Sequence, residues 1–199
     1  MRKPILSILG AAALLTATTA QAISLGFDPA SPVGPVGSSV DVNLTISGLG
    51  DFSPDSLSTF DIDVLYDPAM LALAGAAIGD PLSISGDQLD PLGIGTINSV
   101  SSTPGTANLF DLSFDPAIAL DTLQPGSFTL ATLTFRVSKV STSPLAFGKM
   151  ILGDSVGGLF AQPVSAVSAN VTAVPEPSTI TLFLMGSLVL GAAWRRVSA

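Results

Sequence analysis

The chain has no cysteine and no histidine, and it has one tyrosine, one tryptophan and one glutamate among its 199 residues. The absence of cysteine excludes disulfides and thiolate chemistry. Because histidine is absent as well, zinc sites of the usual kind and every acid–base mechanism that depends on an imidazole are also excluded. A domain of this size can bury a sufficient core without disulfides, so the lack of cysteine is compatible with export.

Charge is also scarce, at 11% of the residues, and it is sorted by position along the chain. Two bases open the chain and two nearly close it, whereas residues 23–173 contain fourteen aspartates, no glutamate and three bases, Arg136, Lys139 and Lys149. Fourteen aspartates against three bases give this stretch a formal charge of −11. Because an acidic surface repels phosphate backbones, we expect no nucleic-acid partner; cations or a basic protein surface are the natural complements.

The middle of the chain has the sequence pattern of antiparallel strands. Residues 39–46, 60–66 and 132–138 alternate apolar and polar side chains, which is typical of strands with one buried face. The apolar parity shifts between Phe128 and Leu133, which predicts a β-bulge before the third strand. Weaker strand patterns occupy residues 23–27, 71–78, 95–100, 107–113, 145–152 and 164–172.

These patterns predict an all-β fold. Glycine and proline are abundant, at 19 and 15 residues, and five Asp-Pro pairs interrupt the candidate strands. We find no helical apolar stripe outside the two ends of the chain. About nine strands in roughly 150 residues predict a two-sheet jelly-roll β-sandwich at residues 23–173. An N-terminal signal helix and a C-terminal transmembrane helix would flank it.

Three segments of this stretch resemble the cohesin-type domain: residues 37–44, 60–71 and 126–137. The most specific part is the strand that ends in Tyr66-Asp67-Pro68, with a leucine three residues further on. The resemblance implies a nine-stranded jelly-roll sandwich related in fold to carbohydrate-binding modules. It also implies an interaction module, because the cohesins of cellulosomes bind dockerin modules on one flat sheet face.

Groups suited to catalysis are few. Residues 121–123 and 154–157 both miss the Asp-Thr/Ser-Gly pattern of aspartic proteases, and no glycine-rich phosphate loop joins a strand to a helix. Paired aspartates could serve a glycosidase, and this is the function that the sequence favours least. We therefore expect a non-enzymatic protein with no catalytic residue and no cofactor.

Aspartates also define a candidate calcium site. Asp61 and Asp63 share the outward face of one predicted strand, and Asp67 follows it. Carboxylate oxygens are ligands that Ca²⁺ prefers. However, outward strand positions and a turn-former account for the same three residues, and no twelve-residue calcium loop is present. We therefore assign no metal ligand, and Ca²⁺ at these aspartates stays an alternative.

The first 22 residues have the three parts of a secretory signal peptide. Arg2 and Lys3 form a basic start, residues 5–15 form an apolar run, and a small-x-small cleavage site follows at Ala20 and Ala22. We expect cleavage after Ala22. An uncleaved anchor helix is the alternative, but the apolar run is short for a membrane span.

The last 26 residues, 174–199, also have three parts. An extended proline-containing hinge comes first, because proline fits neither a helix interior nor a sheet interior. A transmembrane segment at 179–194 follows, and Arg195 and Arg196 form the basic stop-transfer end on the cytoplasmic side. The hinge consists of Val174, Pro175, Glu176, Pro177 and Ser178.

In this order the three parts closely resemble the PEP-CTERM sorting signal of Gram-negative bacteria. The resemblance spans Val174 to about Arg196. It implies recognition by an exosortase-type processing enzyme, removal of the tail, and transfer of an inner-membrane-anchored precursor to the cell surface or extracellular matrix. A permanent single-span anchor with a proline-rich stalk is the alternative.

The resulting hypothesis is an exported, non-enzymatic surface or matrix protein. Its sandwich would act as an interaction module in the cell envelope or in a biofilm or exopolysaccharide matrix, with a protein or polysaccharide partner. The alternative function is a carbohydrate-binding module on the same fold. That alternative is less favoured because sugars stack on tyrosine and tryptophan, and only Tyr66 lies outside the predicted membrane segment.

Overall fold

The computed structural model describes residues 22–81, 86–160 and 163–175. Eleven strands of these residues form two sheets. The five-stranded sheet has the order β10-β1-β3-β8-β5, and the six-stranded sheet has the order β2-β11-β9-β4-β7-β6. The strands are β1 Ile23–Asp28, β2 Val33–Pro35, β3 Ser39–Ser47, β4 Leu57–Leu65, β5 Leu71–Ile78, β6 Thr96–Thr103, β7 Thr106–Ser113, β8 Ser127–Val137, β9 Thr142–Asp154, β10 Val164–Ala166 and β11 Ala169–Val174.

The architecture confirms the predicted two-sheet sandwich and corrects its details. The segment 164–172 is two strands, β10 and β11, which lie in different sheets. The structure adds one short helix to the predicted all-β fold, α1 at Ala117–Leu123, where the sequence shows no helical apolar stripe. This helix buries only Ala119 and Leu120, so it is too short to produce a recognisable apolar stripe.

The predicted signal helix and transmembrane helix lie outside the described residues, apart from Ala22 at the junction with β1. Within the part of the chain that the structure describes, no helix is both long enough and apolar enough to cross a membrane.

The core lies between the inner faces of the two sheets. The strands β3, β4 and β8, which contain the three strongest predicted strands, supply six of the twelve largest fully buried side chains. Each of these side chains removes apolar area from water, which stabilises the fold by about 1.5–3 kcal/mol when burial is complete. The buried members from these strands are Val40, Val42, Leu44, Ile46, Phe60, Ile62, Val64, Leu133, Phe135 and Val137.

The predicted β-bulge is confirmed in β8. Leu44 of β3 pairs with Ala131, whereas the next residue, Thr45, pairs with Thr129. Leu130 is therefore the extra residue, and both Leu130 and Ala131 are buried. The extra residue restores the inward direction of the apolar side chains after the parity shift.

The central part of the six-stranded sheet positions the candidate site. β4 pairs antiparallel with β7 on one side and with β9 on the other, and β6 pairs with β7. β6 and β7 are joined by a tight turn at Pro104-Gly105, in which Gly105 has a φ of +89° that suits glycine. The Gly105 carbonyl also accepts a hydrogen bond from the Tyr66 backbone N–H, which fixes the hairpin against the end of β4.

Candidate interaction surface

The side chains of β6, β7, β4 and β9 that point away from the core form a continuous surface, called here the six-stranded outer face. Residues that are partners in adjacent antiparallel strands point to the same side of a sheet. The strand register therefore places two rows of side chains across this surface. The first row is Ser99, Phe110, Asp61 and Ile151; the second is Ile97, Leu112, Thr59 and Gly153.

Apolar side chains make up a large part of these rows. Ile97 is 53% exposed and Ile151 is 43% exposed, although both belong to regular strands. Leu112 adjoins Ile97 in the second row, and Phe110 lies two residues from Leu112 on β7; both are half-buried. Asp61 separates Phe110 from Ile151 in the first row. Exposed apolar side chains with polar neighbours are typical of a binding surface rather than of a solvated sheet.

A polar cluster adjoins the apolar side chains. The Asn108 side-chain amide donates to Asp61 Oδ1 at 2.8 Å and to Asp63 Oδ1 at 2.7 Å. Lys149 Nζ contacts Asp61 Oδ2 at 2.7 Å. One amide and one ammonium group thus hold the two carboxylates in fixed positions beside Phe110 and Ile151.

The electrostatics of the cluster keep the pair formed by Asp61 and Lys149 ionised. Burial acts to raise the pKa of Asp61, but the hydrogen bonds from Lys149 and Asn108 outweigh it and leave that pKa below its ordinary value. The hydrogen bond to Asp61, opposed by partial burial, raises the pKa of Lys149. The pair is therefore charged at neutral pH, and a partner meets an ordered acidic centre with one fixed base.

The candidate calcium site at Asp61, Asp63 and Asp67 is not assembled. Asp67 Oδ1 accepts the Ala69 backbone N–H at 2.9 Å, so Asp67 forms the turn after β4. Asp61 and Asp63 share Asn108 instead. Within the described ranges, no three acidic side chains come together in a way that could hold a metal ion.

Sequence analysis missed Asn108, Phe110 and Lys149. In β7 the buried positions are Ala107, Leu109 and Asp111, so Phe110 points outward and an aspartate points inward. The sequence did contain a signal for Phe110. If Ala107 and Leu109 point inward, alternation places Phe110 on the outer face and Asp111 in the core. Lys149 gave no signal, since an irregularity in the β4–β9 register determines its position.

The outward face of β1, β3, β8 and β5, the five-stranded outer face, has a different character. It contains a groove of about 500 Å³. Thr132 donates to Asn43 Oδ1 at 2.9 Å and Thr134 donates to Asp41 Oδ1 at 2.6 Å along its floor. Asp28, together with small residues of β5, including Gly75, completes the lining.

The described end of the sorting motif lies at the edge of the sandwich. Val174 is the last residue of β11 and pairs in parallel with Pro35 of β2, and Pro175 is exposed. Ala22 is exposed and directly precedes β1. The remaining predicted sorting and cleavage residues lie outside the described residues: Ala20, Glu176, Pro177, Ser178, Arg195 and Arg196.

Comparison with known proteins finds a match for the C-terminal tail and, separately, for the fold of the sandwich. The PEP-CTERM protein-sorting motif matches residues 173–197. No curated protein matches the chain.

The solved structures that this chain resembles include several cohesins. A cohesin from scaffoldin B of Acetivibrio cellulolyticus, solved with a dockerin, has a TM-score of 0.57 at 20% identity, covering 77% of this chain and 99% of that one. A type I cohesin solved with its dockerin from Clostridium thermocellum has a TM-score of 0.57 at 14% identity, with coverages of 77% and 99%. A non-cellulosomal cohesin from the archaeon Archaeoglobus fulgidus has a TM-score of 0.54 at 14% identity, with coverages of 80% and 95%.

At these identities the likeness to solved structures establishes the fold. The chain therefore combines a domain of the cohesin fold with a PEP-CTERM protein-sorting motif at residues 173–197.

Proposed function

We propose that this chain is a non-enzymatic surface protein, processed by an exosortase-type enzyme, whose sandwich binds a protein through the six-stranded outer face. The observation that carries the proposal is the exposed apolar rows around an ordered polar cluster, in a chain that ends in a sorting motif. The predicted parts are a signal peptide at 1–22, the sandwich at 23–173 and the sorting tail at 174–199.

The position of the motif supports processing. β11 ends at Val174, so the hinge begins where the backbone pairing of the sandwich stops. Pro175 is exposed, which leaves this point of the chain open to an enzyme. Removal of the tail after the hinge would cost the sandwich no strand, so the domain would remain folded after release from the membrane.

Processing is tested with a chain that carries one epitope at the exposed loop residue Val156 and another after Ala199. In a host with an active exosortase, we expect surface-recovered protein to keep the first epitope and lose the second. A chain in which Pro175, Glu176 and Pro177 are all alanine should keep both. A surface form that still contains Arg195 and Arg196 would instead establish a permanent anchor.

The composition of the six-stranded outer face supports a protein partner. Flat interfaces combine aromatic and aliphatic anchors with polar groups whose positions are already ordered, because ordering them on binding would cost entropy. Phe110 and Ile151 are such anchors, and the Asn108 amide orders Asp61 and Asp63 in advance. The cohesins of the same fold from Acetivibrio cellulolyticus and Clostridium thermocellum were solved with dockerins, which extends the proposal to a dockerin-type module as one class of partner.

The partner surface is tested by affinity enrichment from a cell-envelope fraction of the source bacterium. The wild-type chain is compared with a double variant, Phe110→Ser with Ile151→Ser, and with the matched control Thr134→Ala on the opposite sheet. We expect specific proteins captured by the wild type and the control to be lost from the double variant. Equal capture by all three chains would exclude this face.

The groove on the five-stranded outer face favours a second candidate function, polysaccharide binding. Its carboxylates, amide and hydroxyl groups are the types of group that hydrogen-bond sugar hydroxyls. A glycan array probed with the wild type and with Asp41→Ala distinguishes the two functions. Binding that Asp41→Ala abolishes and the double variant on the other face retains would favour a carbohydrate-binding module.

A further inference from the structure

The four strands that end the two sheets of the described residues differ in how well they resist pairing with another chain. β10 and β2 have three residues each, and β2 ends in Pro35. β5 has eight residues, but its register with β8 shifts between Leu73 and Gly75. Short strands, proline and bulges all protect a sheet edge from an added strand. Three of these four edges therefore have some protection.

The fourth edge strand, β6, has none of these protections. It pairs with β7 over all eight residues without a register shift, and it contains no charged residue and no proline. Every residue of β6 after Thr96 is exposed, including Ile97 and, at 40%, Val100. No strand of the described residues pairs with its other side. An exposed, regular and uncharged edge strand is a template for pairing with another strand.

The hydrogen bonds of the β6–β7 hairpin show which backbone groups of β6 are open. The two-residue turn at Pro104-Gly105 makes Thr103 and Thr106 a hydrogen-bonded pair. Before β6, the Phe114 N–H donates to the Gly95 carbonyl at 3.2 Å. The odd-numbered residues of β6 therefore bond to β7. The backbone N–H and C=O groups that face away from β7 belong to the even-numbered residues Thr96, Asn98, Val100 and Ser102.

The open groups of β6 are complementary to those of a second β6. In an antiparallel arrangement of two β6 strands about a two-fold axis at Ser99, Thr96 pairs with Ser102 of the second copy. Asn98 pairs with Val100 in the same way. Each pair joins two residues whose backbone groups are open, so all the open positions of both strands find partners. The facing side chains are uncharged, so no like charges meet across the pair.

Charge favours a second copy as the occupant of this edge. Residues 23–173 have a formal charge of −11, so most surfaces of the sandwich repel another copy. β6 has no charged residue, and β5, which lies next to it across the sandwich, consists of leucine, alanine, glycine and isoleucine. Two copies therefore approach on this side with the least repulsion. A basic partner, which the acidic surface attracts elsewhere, finds no carboxylate on β6 or β5 to pair with.

We propose that two copies of this chain associate through antiparallel β6 strands, with the two-fold axis at Ser99. The two six-stranded sheets would then form one continuous sheet, and their two outer faces would lie side by side. A partner with two binding modules would bind such a pair more tightly than a single copy. The association uses the edge of the sheet, so it goes beyond the proposed function and leaves the six-stranded outer face open.

The absence of cysteine allows a direct test in the full chain. Ser99→Cys would place its thiol opposite the same thiol of the second copy. The Cα atoms of a non-hydrogen-bonded antiparallel pair are about 4.5 Å apart, which lies within the range of a disulfide. The matched control is Ser101→Cys, since Ser101 is an exposed serine on the same face of β6 but would lie opposite Ile97 of the second copy.

The purified full chain is mildly oxidised in detergent, and non-reducing electrophoresis measures the disulfide-linked dimer. We expect at least about tenfold more dimer for Ser99→Cys than for Ser101→Cys, because only the first pair of thiols lies within disulfide distance. The dimer should disappear on reduction. Wild-type chain, which has no thiol, should give none.

Two further changes in the Ser99→Cys chain test whether the open backbone of β6 makes the contact. Val100→Pro removes an N–H that faces away from β7, and Asn98→Lys adds a charge at the same edge. Natural edge strands contain both proline and lysine, so the sandwich should remain folded, which circular dichroism verifies. We expect each change to reduce the dimer to the level of Ser101→Cys.

Three results would overturn the proposal. The first is equal or stronger cross-linking through Ser101→Cys, or no dimer from Ser99→Cys. The second is a dimer that persists in folded Val100→Pro, or in Asn98→Lys where Val100→Pro does not fold. The third is a Ser99→Cys adduct whose mass is not twice that of the chain, which would identify a different protein as the occupant of the edge.

Discussion

The two outer faces of the sandwich are built by the same alternation and differ almost completely in chemistry. The five-stranded outer face presents small polar side chains, and neighbouring ones hydrogen-bond to each other across strands. The six-stranded outer face presents exposed isoleucines and a half-buried phenylalanine beside an ion pair. The inner faces of the two sheets, by contrast, are both mostly apolar and buried, although Asp111 of β7 points inward. Packing therefore constrains the inward positions of the central strands, whereas the outward positions of each sheet are free to specialise.

The sheets also differ in how their irregularities are used. In the five-stranded sheet the bulge at Leu130 serves the core, because it keeps apolar residues inward. In the six-stranded sheet the β4–β9 register shifts between Ile62 and Val64, opposite Gly148 and Lys149. This second irregularity lies where Lys149 reaches Asp61, so it serves the surface.

The largest expected effect would test whether the inner faces are equivalent. Ile62→Ala in the six-stranded sheet and Leu133→Ala in the five-stranded sheet each remove a side chain that is 0% exposed. We expect each variant to lower the free energy of unfolding by about 2–5 kcal/mol, through lost burial and the cavity left behind. Urea denaturation measures the loss, with the exposed Asp41→Asn as the control. A small loss in one sheet alone would mean that the two sheets do not share one core.

The next effect concerns the buried aspartate of β7, Asp111. The raised pKa of Asp111 means that the folded state holds its proton up to about pH 7, whereas the unfolded chain releases it near the ordinary aspartate value of 3.8. We therefore expect the contribution of Asp111 to the free energy of unfolding to fall as pH rises from about 4 to about 7.

The measurement is the difference in stability between wild type and Asp111→Asn across that pH range. The stability of Asp111→Asn relative to the wild type should rise as pH rises. A pH-independent difference for Asp111→Asn would contradict the assignment.

A smaller effect would test the proposed binding surface directly. Once a partner is in hand, Phe110→Ser or Ile151→Ser should weaken binding by about tenfold or more, because truncated central anchors typically cost over 1 kcal/mol. Thr45→Ala on the other sheet should leave the Kd unchanged. Calorimetric titration gives the Kd values, and circular dichroism verifies that each variant is folded. Loss of binding in Thr45→Ala with retention in Phe110→Ser would move the site to the five-stranded outer face.

The smallest effect concerns the ion pair. Lys149→Gln removes a base that is 44% exposed, and exposed pairs contribute little to stability. We expect an almost unchanged Tm but a higher pKa for Asp61, because its main charged hydrogen-bond donor is gone. Since the wild-type pKa is lowered, the small stabilisation from Asp61 is present above about pH 4 and is lost as pH falls further. NMR titration of the Asp61 carboxyl carbon follows the change; an unaltered pKa would show that Lys149 does not hold this carboxylate.

Much of the fold could be predicted from strand alternation. In β3, β4 and β8 the alternating side chains identified the inward residues correctly, because only one orientation of such a strand buries its apolar side chains. Alternation has no information about which strands are neighbours, however. It merged β10 and β11 into one segment, and it overlooked α1, whose two buried residues cannot form a stripe.

The candidate site was predicted only in part. Asp61 and Asp63 were correctly placed on the outward face of their strand, but their partners come from elsewhere in the chain: Asn108 from β7 and Lys149 from β9. These contacts are separated by 45 to 88 residues along the chain, so no local pattern signals them.

The sequence by itself determined the all-β class, the inward side of the strongest strands and the sorting motif at the end of the chain. Each depends on residue types at short spacing along the chain. Side chains two residues apart share a sheet face, and the sorting motif is recognised from consecutive residues. Only the tertiary structure decided which outer face is apolar, which carboxylates are ordered and which aspartate is buried beside another. Those properties depend on how distant strands are brought side by side, and burial and charge act through distance in space.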